Sequence, residues 1–482
     1  MQRKASSRGG ASRYKGFMNS PATAADAPRR EPFGKVIASY FKPRPLGAFL
    51  LGISSGFPLT LLLATMSYWL SKVGIDKKTI GFLFALTTPY TLKWLWAPLI
   101  DGIAIPWLAR AIGQRRAWLW VVQVLLGIAI FQLGFSDPVH HIGRFAIWGI
   151  IVSFLSATQD IVIDAYRIET LPDEELALGT ATNQVGYRTG SLLAGAGTIY
   201  LASTEGIGLG WAAAYGVSAF LVIPGFLASL WLGPGRHTAV RERHYGLAAA
   251  VDFLKHNVIA PFADFLTRPG AWLILLFVLT YKLGDAVGQN MLSPMVVHQG
   301  FTDTDYIAIN KLVGFWALVV GALVAGALIA RFGMGRLLFG AGIIMMGANL
   351  MFASVAATGH SVWLLTLAVA TENLFASISL TVFATYLSGL SNTAFTATQY
   401  ALLSSVASVA RTFATTPSGY AASYFGWPGF YVFCACLGIP GLLFLFLMRR
   451  AGFVVDTVRQ VGVQGSEPVE GEEPRPVPAE PR

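Results

Sequence analysis

The chain has 482 residues, of which 54% are hydrophobic and only 12% carry charge. Soluble domains have about 25% charged residues, so this composition excludes an ordinary water-soluble protein. Lys and Arg number 35 against 25 Asp and Glu, and ten of the basic residues lie within the first 44 positions. Because this charge sits beside apolar runs, it predicts a membrane-flanking segment rather than a nucleic-acid-binding one. Cys434 and Cys436 lie in one apolar run and predict neither a disulfide framework nor a metal site.

Twelve apolar runs follow, each long enough to cross a hydrocarbon core of about 30 Å. They cover 45–71, 79–100, 117–136, 145–166, 178–202, 210–232, 270–297, 306–330, 337–358, 361–387, 393–424 and 428–448. With the N-terminus inside, 26 of the 35 basic residues fall on the inner side and four in the outer loops, so both termini are expected in the cytoplasm. The sequence therefore predicts an all-α membrane protein with twelve transmembrane helices.

The same runs predict five segments along the chain. A basic, disordered cytoplasmic tail (1–44) precedes a six-helix half (45–232), and a second six-helix half (269–449) precedes a disordered tail (450–482) rich in Pro and Glu. The cytoplasmic linker 233–268 has apolar residues at helical spacing, which fits either an amphipathic helix on the inner membrane face or a plain connection.

An internal repeat relates the two halves. The tetrapeptide ATQD at 157–160 recurs as ATEN at 370–373, and TATN at 180–183 recurs as TATQ at 396–399. Two parallel six-helix halves resemble transporters of the major facilitator superfamily, which bind substrate between the halves near the midplane. Asp101 followed by Arg115 and Arg116 resembles the inner-gate signature of that superfamily and predicts a charge clasp there. The alternative is that these arginines are ordinary positive-inside flanks.

Ionisable side chains inside the spans are the main functional signal, because each costs several kcal/mol in lipid. They are Lys93, Asp160, Asp164, Arg188, Lys282, Asp285, Lys311, Glu372 and Arg411. At 1.5 Å per residue, Glu372 and Arg188 fall near the midplane, whereas Asp164 approaches the inner surface. Lys311 lies near the outer surface, so a side chain that simply extends to the membrane interface explains its charge equally well.

Four carboxylates are predicted proton carriers: Asp160, Asp164, Asp285 and Glu372. Asp160 and Asp164 are four residues apart on one helical face, so the two resist joint ionisation and one can hold a proton. Alternatively, Asp164 pairs with Arg167 one turn on, which leaves Asp160 to another basic partner. Lys282 and Asp285 are three apart and can pair, either as a switch or as simple neutralisation.

Several residue types in the spans suit an anionic sugar or peptide cargo. Arg188 is the strongest anion clamp, since guanidinium binds carboxylates bidentately, and Lys93 and Lys282 are further cations. Amides at Gln159, Asn373 and Gln399 suit polar hydrogen bonds, and Tyr90, Trp94 and Tyr281 suit stacking on sugar rings. The seven His lie in loops or at span ends, and no nucleotide-binding glycine loop is present. We therefore expect a transporter rather than an enzyme, with no cofactor or metal and a proton gradient as energy source.

The sequence resembles the AmpG family of muropeptide permeases over about 46–448. The resembling motifs are GFPL at 56–59, KWLWAPLID at 93–101, SATQDIVIDA at 156–165, YKLGDA at 281–286, NK at 310–311, EN at 372–373 and ATQYALLSS at 397–405. The resemblance also implies that the buried polar positions, with Lys311, Asn373, Gln399 and Arg411 among them, bind substrate. After Glu372-Asn373 the family is often Gly-rich, whereas this chain has bulkier residues at 374–379.

The resemblance implies an importer in the inner membrane of a Gram-negative bacterium, and we expect the protein to act as a monomer. Its cargo would be N-acetylglucosaminyl-1,6-anhydro-N-acetylmuramyl peptides, taken up with protons for peptidoglycan recycling and linked to beta-lactamase induction. Expected partners are this substrate, protons and the lipid bilayer, and no nucleic acid. One alternative keeps the fold but carries another anionic metabolite such as an acyl-CoA. The other makes the protein a non-transporting membrane sensor or signalling subunit.

Overall fold

The computed structural model describes residues 33–75, 84–204, 206–235, 254–302, 313–392, 395–415 and 417–451, with Asp305 and Ile309. The described residues form helices and no strand, which confirms the all-α prediction. The helices up to the linker are α1 (Phe33–Ser39), α2 (Pro43–Lys72), α3 (84–102, in short pieces), α4 (Leu108–Ile112), α5 (Gln114–Gly134), α6 (Ile142–Thr170), α7 (173–202) and α8 (Gly210–Leu232). The remaining helices are α9 (254–266), α10 (Ala271–His298, in short pieces), α11 (Gly314–Phe332), α12 (Met334–Thr358), α13 (Val362–Leu390), α14 (Thr396–Thr415) and α15 (Ser418–Arg450).

Within the described residues, nine helices are long and apolar enough to cross a membrane. The other three predicted spans correspond to α3, α7 and α14. The first of these is broken into short turns around Lys93, and α7 begins with three acidic residues, Asp173 to Glu175. The count of twelve spans and the side of each terminus stay predictions.

Parts of the predicted tails and linker are described. Residues 33–39 of the expected disordered tail are helical in α1, and α9 occupies the second part of the linker. Residues 1–32, 236–253 and 452–482 lie outside the described residues, as does Lys311.

The internal repeat of the sequence is also seen in the lengths of corresponding helices in the two halves. Helices α6 and α13 both have 29 residues, and the α-helical runs Asp173–Leu192 and Thr396–Thr415 both have 20. Before α5 and α12 the chain turns at Gly113 and Gly333, whose φ values are 91° and 80°. Glycine adopts this left-handed conformation without steric cost, so the same turn begins α5 and α12, the third predicted span of each half.

Close packing of α2 on α7 builds the wall of the first half. A Cβ at Gly56 would lie 2.0 Å from Tyr187 O, and one at Gly186 would lie 2.0 Å from Phe49 O. Small residues let transmembrane helices approach at backbone distance, as these two do. The contact positions the stretch of α2 that carries Ser55, whose hydroxyl bonds to Asp160 of α6.

The two halves meet through α7 against α11 and through α3 and α6 against α14. Ile168 and Ala177 of the first half pack in the apolar core of the second half. Ala397 and Ala401 of the second half pack in the core of the first. These apolar contacts lie at the inner end, meaning the end that the positive-inside count assigns to the cytoplasm.

Candidate functional site

A polar group on the first half surrounds Asp160 at the middle of α6. Ser55 Oγ donates a hydrogen bond to Asp160 Oδ1 at 2.6 Å. Lys93 of α3 and Asp164, one turn along α6, both act electrostatically on this carboxyl group. Tyr90 and Ser156 share a hydrogen bond between their hydroxyls, one turn from Asp160 in the outer direction. The group therefore combines a carboxylate, a cation and hydroxyls from three helices.

A second polar group lies on the other half. Lys282 Nζ lies 2.7 Å from Asp285 Oδ2, so the two residues pair across one turn of α10. Glu372 of α13 is 3% exposed, and its Oε2 has no hydrogen-bond partner among the described residues. The charges of Asp285 and Lys282 both act on its carboxyl group, so this pair and Glu372 form one charged cluster.

Two arginines act electrostatically across the space between the halves. Arg188 of α7 is half-buried and experiences the charge of Glu372 on the opposite half. Its neighbour Tyr187 experiences Asp160, Arg188 and Arg411, and Arg411 itself is exposed. Charges of both signs from both halves thus surround one central region. Such a region can bind a ligand that carries carboxylates and hydroxyl or amide groups.

The inner end of this region is closed by a buried ion cluster. Arg115 donates to Asp101 Oδ1 from Nη2 at 2.5 Å and to Glu169 Oε1 from Nε at 2.8 Å, and its side chain is fully buried. Across the halves, Thr398 donates to Asp101 Oδ2 from its backbone N at 2.8 Å and from Oγ1 at 2.5 Å. Asp101 therefore caps the start of α14 in the second half while it is paired within the first.

A second inner contact centres on Arg167 of α6. Its Nη1 donates to Thr180 Oγ1 at 2.7 Å within the first half, and its Nη2 donates to Ser388 Oγ at 3.0 Å across the halves. The guanidinium also faces the ring of Tyr400, with 5.9 Å between Cζ and the ring centroid. Asp164 Oδ1 lies 3.5 Å from Nη2.

Tyr40, between α1 and α2, makes a third contact between the halves. Its hydroxyl donates to the carbonyl of Leu323 in α11, and its ring packs with Leu178 and Ala327. Burial raises the pKa of the Tyr40 hydroxyl, so this group stays a neutral donor. The hydrogen bonds of Asp101, Arg167 and Tyr40 all lie at the inner end, so this side of the central region is shut.

Comparison with known proteins agrees with this architecture. The family model described as Major Facilitator Superfamily matches residues 48–415. An anhydromuropeptide permease of Escherichia coli K12 is 35% identical over 410 residues, which cover 85% of this chain and 80% of that protein. The chain belongs to the AmpG family of the major facilitator superfamily. A transporter named AmpG 4 of Rickettsia conorii is 33% identical over 401 residues, or 83% of this chain and 95% of that one.

Solved structures support the fold of this AmpG-family chain. The proton:xylose symporter XylE, bound to 6-bromo-6-deoxy-D-glucose, has a TM-score of 0.64 at 16% identity, covering 85% of this chain and 96% of that one. The fucose:proton symporter FucP of E. coli has a TM-score of 0.59 at 14% identity, covering 85% and 99%. The solved structures thus show the major facilitator fold, and membership of the family makes the chain a multi-pass membrane transporter.

Several predicted substrate-binding residues of the AmpG-family chain lie away from the central region. Gln159 is fully buried and donates to Ser54 O of α2, because its side chain points about 100° around α6 from that of Asp160. Tyr281 is 7% exposed and donates to Leu338 O at 2.8 Å, inside the core of the second half. Trp94 lies edge-on to Phe262 of the linker helix.

Gln399 lies at the inner end instead, against the linker helix α9. Its Nε2 donates to Asp264 Oδ2 at 2.7 Å and to Pro261 O at 3.1 Å, and its Oε1 accepts from Arg268. These contacts fasten the linker to the start of α14 rather than face a cargo.

Two further predicted residues are engaged locally. Asn373 donates to Val369 O at 2.9 Å on its own helix. Arg116 donates to the carbonyls of Ser229 and Leu230 at 2.7 and 3.0 Å, so it caps the end of α8, whereas Arg115 makes the clasp with Asp101. The functional roles of these residues stay predictions.

Sequence reasoning missed Ser55, Tyr187 and Glu169. Ser55 is uncharged, so nothing in the sequence distinguishes it from other small residues of an apolar span. Tyr187 resembles the tyrosines that anchor spans at the membrane interface. Glu169 had a usable signal, because an acid at the inner end of a span, in the same half as the arginines that follow Asp101, needs a cation such as Arg115. Among the described residues, no group of three or more His, Cys, Asp or Glu side chains could hold a metal ion.

Proposed function

We propose that this AmpG-family chain imports anhydromuropeptides, that is GlcNAc-1,6-anhydroMurNAc peptides, from the periplasm to the cytoplasm together with protons. It would act as a monomer in the bacterial inner membrane, serve peptidoglycan recycling and thereby be linked to beta-lactamase induction. The observation that carries the proposal is the set of opposite charges from both halves around one central region that is shut at its inner end. The name of the E. coli relative supports the cargo, and that of the Rickettsia relative supports the family.

Cargo recognition would depend on the cations of the central region. Arg188 and Lys93 on the first half and Lys282 on the second neutralise the carboxylates of the peptide stem. Arg411 is exposed and suits first capture of the anion, while Gln289 of the second half is exposed toward a polar ligand. The sugars would then lie against the Tyr90 and Tyr187 hydroxyls.

Protons would be carried by the carboxyl groups that face the same region. Asp160, Asp164, Asp285 and Glu372 are the candidates, and no cofactor takes part. With the inner end shut, the carrier is ready to load cargo and proton from outside. Rocking of the two halves would then break the contacts of Asp101, Arg167 and Tyr40 and release both inside.

Uptake of labelled anhydromuropeptide into proteoliposomes tests the proposal. We expect accumulation under an inward proton gradient, and its loss on adding a protonophore. Arg188→Gln should reduce uptake about 10- to 100-fold, since a hydrogen bond to a charged group contributes about 1.5–3 kcal/mol. The control Arg110→Gln alters an exposed arginine of α4 and should transport normally.

Three results would contradict the proposal in different ways. Accumulation that ignores the gradient would remove proton coupling. Uptake of a labelled acyl-CoA, with no uptake of labelled muropeptide, would reassign the cargo to another anionic metabolite. Absence of any transport by a correctly folded protein would favour a sensor or signalling subunit.

A further inference from the structure

The segment that joins α1 to α2 presents two apolar side chains at the inner end of the molecule. Ile37 and Phe41 have exposed fractions of 55% and 71%. The backbone N–H of Phe41 bonds to Ala38 O at 3.2 Å, so the chain keeps turning past α1 and the two side chains lie about one turn apart. Phe41 is also only two residues before Pro43, where the span α2 begins. This apolar pair therefore lies beside the point at which the chain enters the membrane.

Basic side chains surround the apolar pair. Lys35 is exposed, and Lys42 and Arg44 have 52% and 54% of their side chains accessible. Lys42 Nζ and Arg44 Nη1 lie 3.4 and 3.8 Å from the carboxylate of Glu175, whereas a charge-assisted hydrogen bond is about 2.7–2.9 Å long. Because these pairs are loose and half exposed, both cations can also bind a further anion.

The combination of features fits the inner leaflet of the bilayer. Residues just ahead of a span lie at the level of the phospholipid headgroups. Segments that lie in this interface have apolar side chains at the acyl boundary and Lys or Arg among the headgroups. The first 44 residues carry ten basic residues against two acidic ones, so the charge is complementary to an anionic leaflet. An anionic phospholipid, such as phosphatidylglycerol, supplies both the apolar cover and the negative charge.

Tyr40 fixes another side of the same segment to the protein. Its hydroxyl donates to Leu323 O in the second half, and its ring packs with Leu178 of the first half and Ala327 of the second. Gly326 leaves room for the hydroxyl, because a Cβ at that position would overlap it. One residue thus joins the membrane-facing segment to both halves.

We propose that residues 35–44 bind anionic phospholipid of the inner leaflet, and that this binding holds Tyr40 in its contact with the second half. The apolar pair enters the acyl boundary, and the basic side chains bind the lipid phosphates. With the segment fixed to the membrane, Tyr40 stays between the halves and the shut inner end is favoured. By thermodynamic reciprocity, loss of the Tyr40 contact weakens lipid binding by the same factor.

Fluorescence of an introduced probe tests whether lipid covers the segment. Ala38 is exposed and lies between the apolar pair in sequence, so Ala38→Cys, with Cys434→Ala and Cys436→Ala, carries an environment-sensitive NBD label. The full chain is placed in nanodiscs that hold one copy each, made of phosphatidylcholine alone or with increasing phosphatidylglycerol. We expect the emission to shift to the blue as phosphatidylglycerol increases, and brominated lipid to quench it.

Substitutions distinguish this surface from a general effect of charge. Lys35→Gln should weaken the response to phosphatidylglycerol about fivefold, the factor that corresponds to about 1 kcal/mol per basic residue near an anionic surface. Phe41→Ser should reduce the blue shift, since it removes the larger apolar side chain. The control Arg336→Gln removes an exposed arginine at the start of α12 and should leave the titration unchanged.

A second measurement tests the link through Tyr40. Ala397 is 1% exposed between the halves, so maleimide labelling of Ala397→Cys, on the same background without native cysteines, reports parting of the inner end. In nanodiscs at constant pH, phosphatidylglycerol should lower the labelling rate several-fold, but not when Tyr40→Phe is added. An anionic surface also lowers the local pH and hence the thiolate fraction, but it does so equally in both proteins.

Three results would overturn the inference. The first is equal emission with and without phosphatidylglycerol, or emission that brominated lipid does not quench. The second is a blue shift in vesicles with several copies but not in single-copy nanodiscs, which would assign the surface to a second copy of this chain. The third is an equal effect of phosphatidylglycerol on labelling with and without Tyr40→Phe. Neither experiment contains cargo, so failure of muropeptide uptake would overturn the cargo assignment alone.

Discussion

Replacement of Gly56 by alanine tests how the central region is held in shape. The new Cβ would lie 2.0 Å from Tyr187 O and 2.7 Å from Tyr187 C, both backbone atoms of α7. Ordinary contacts begin at about 3.5 Å, so α2 and α7 would have to separate by about 1.5 Å. A shift of that size is enough to break the 2.6 Å hydrogen bond between the adjacent Ser55 and Asp160.

The expected cost follows from overpacking of a close interface. Inserted methyl groups in packed cores cost about 1–3 kcal/mol, and a displaced helix pair also loses dispersion contacts, so we expect about 2 kcal/mol. If each half unfolds as a unit, this lowers the midpoint of thermal unfolding by about 4–8 °C. Thermal unfolding of the purified protein in detergent, followed by tryptophan fluorescence, measures it.

A matched substitution and a double variant sharpen the test. Gly347→Ala in α12 adds the same methyl group where nothing lies within 4 Å, so its midpoint should stay within 1–2 °C of the native value, about 0.5 kcal/mol. Gly186→Ala requires the same separation of α2 and α7, so combining it with Gly56→Ala should cost less than the sum of the two. Equal midpoints for Gly56→Ala and Gly347→Ala would refute the packing argument.

Three further substitutions address the inner end. Arg115→Gln leaves Asp101 and Glu169 as buried carboxylates without their cation, so we expect a loss of about 3–5 kcal/mol in the free energy of unfolding, measured by thermal unfolding against the exposed control Arg110→Gln. Tyr40→Phe removes one cross-half hydrogen bond of about 1 kcal/mol, so it should raise maleimide labelling of a cysteine introduced by Ala397→Cys about fivefold at constant pH. Ala397 is 1% exposed between the halves, and unchanged labelling would contradict the role of Tyr40. Gln399→Leu should loosen the linker helix and increase its cleavage by added protease, while the affinity for cargo stays native. A loss of affinity would show instead that the Gln399 amide binds cargo.

The helical fold was predictable because the spans are long and apolar. The three more polar spans, α3, α7 and α14, were harder to predict. They line the contact between the halves, and their polar residues lower the mean hydropathy by which a span is recognised. Their polarity is itself informative, because a span in contact with protein rather than lipid does not need to be uniformly apolar.

The candidate site was predictable where a charge alone marks a position, as with Glu372 and Arg188. The site was not predictable where the direction of a side chain decides whether it reaches the central region. Gln159 and Asp160 are neighbours in sequence, yet a rotation of about 100° per residue directs one into the packing against α2 and the other toward the central region. Gln399 was not predictable for a second reason. Its partners lie on the linker helix, and sequence spacing does not predict which residues that helix contacts.

Tyr40 lies before the first span, yet it is wedged between α7 of one half and α11 of the other. A version of the protein shortened to its membrane helices would lose this wedge along with the tail. The equilibrium between the outward-open and inward-open states would then shift in the absence of cargo. An affinity measured on the shortened protein would therefore differ from that of the intact protein. Tags and fusions are therefore better placed ahead of residue 33 than joined directly to α2.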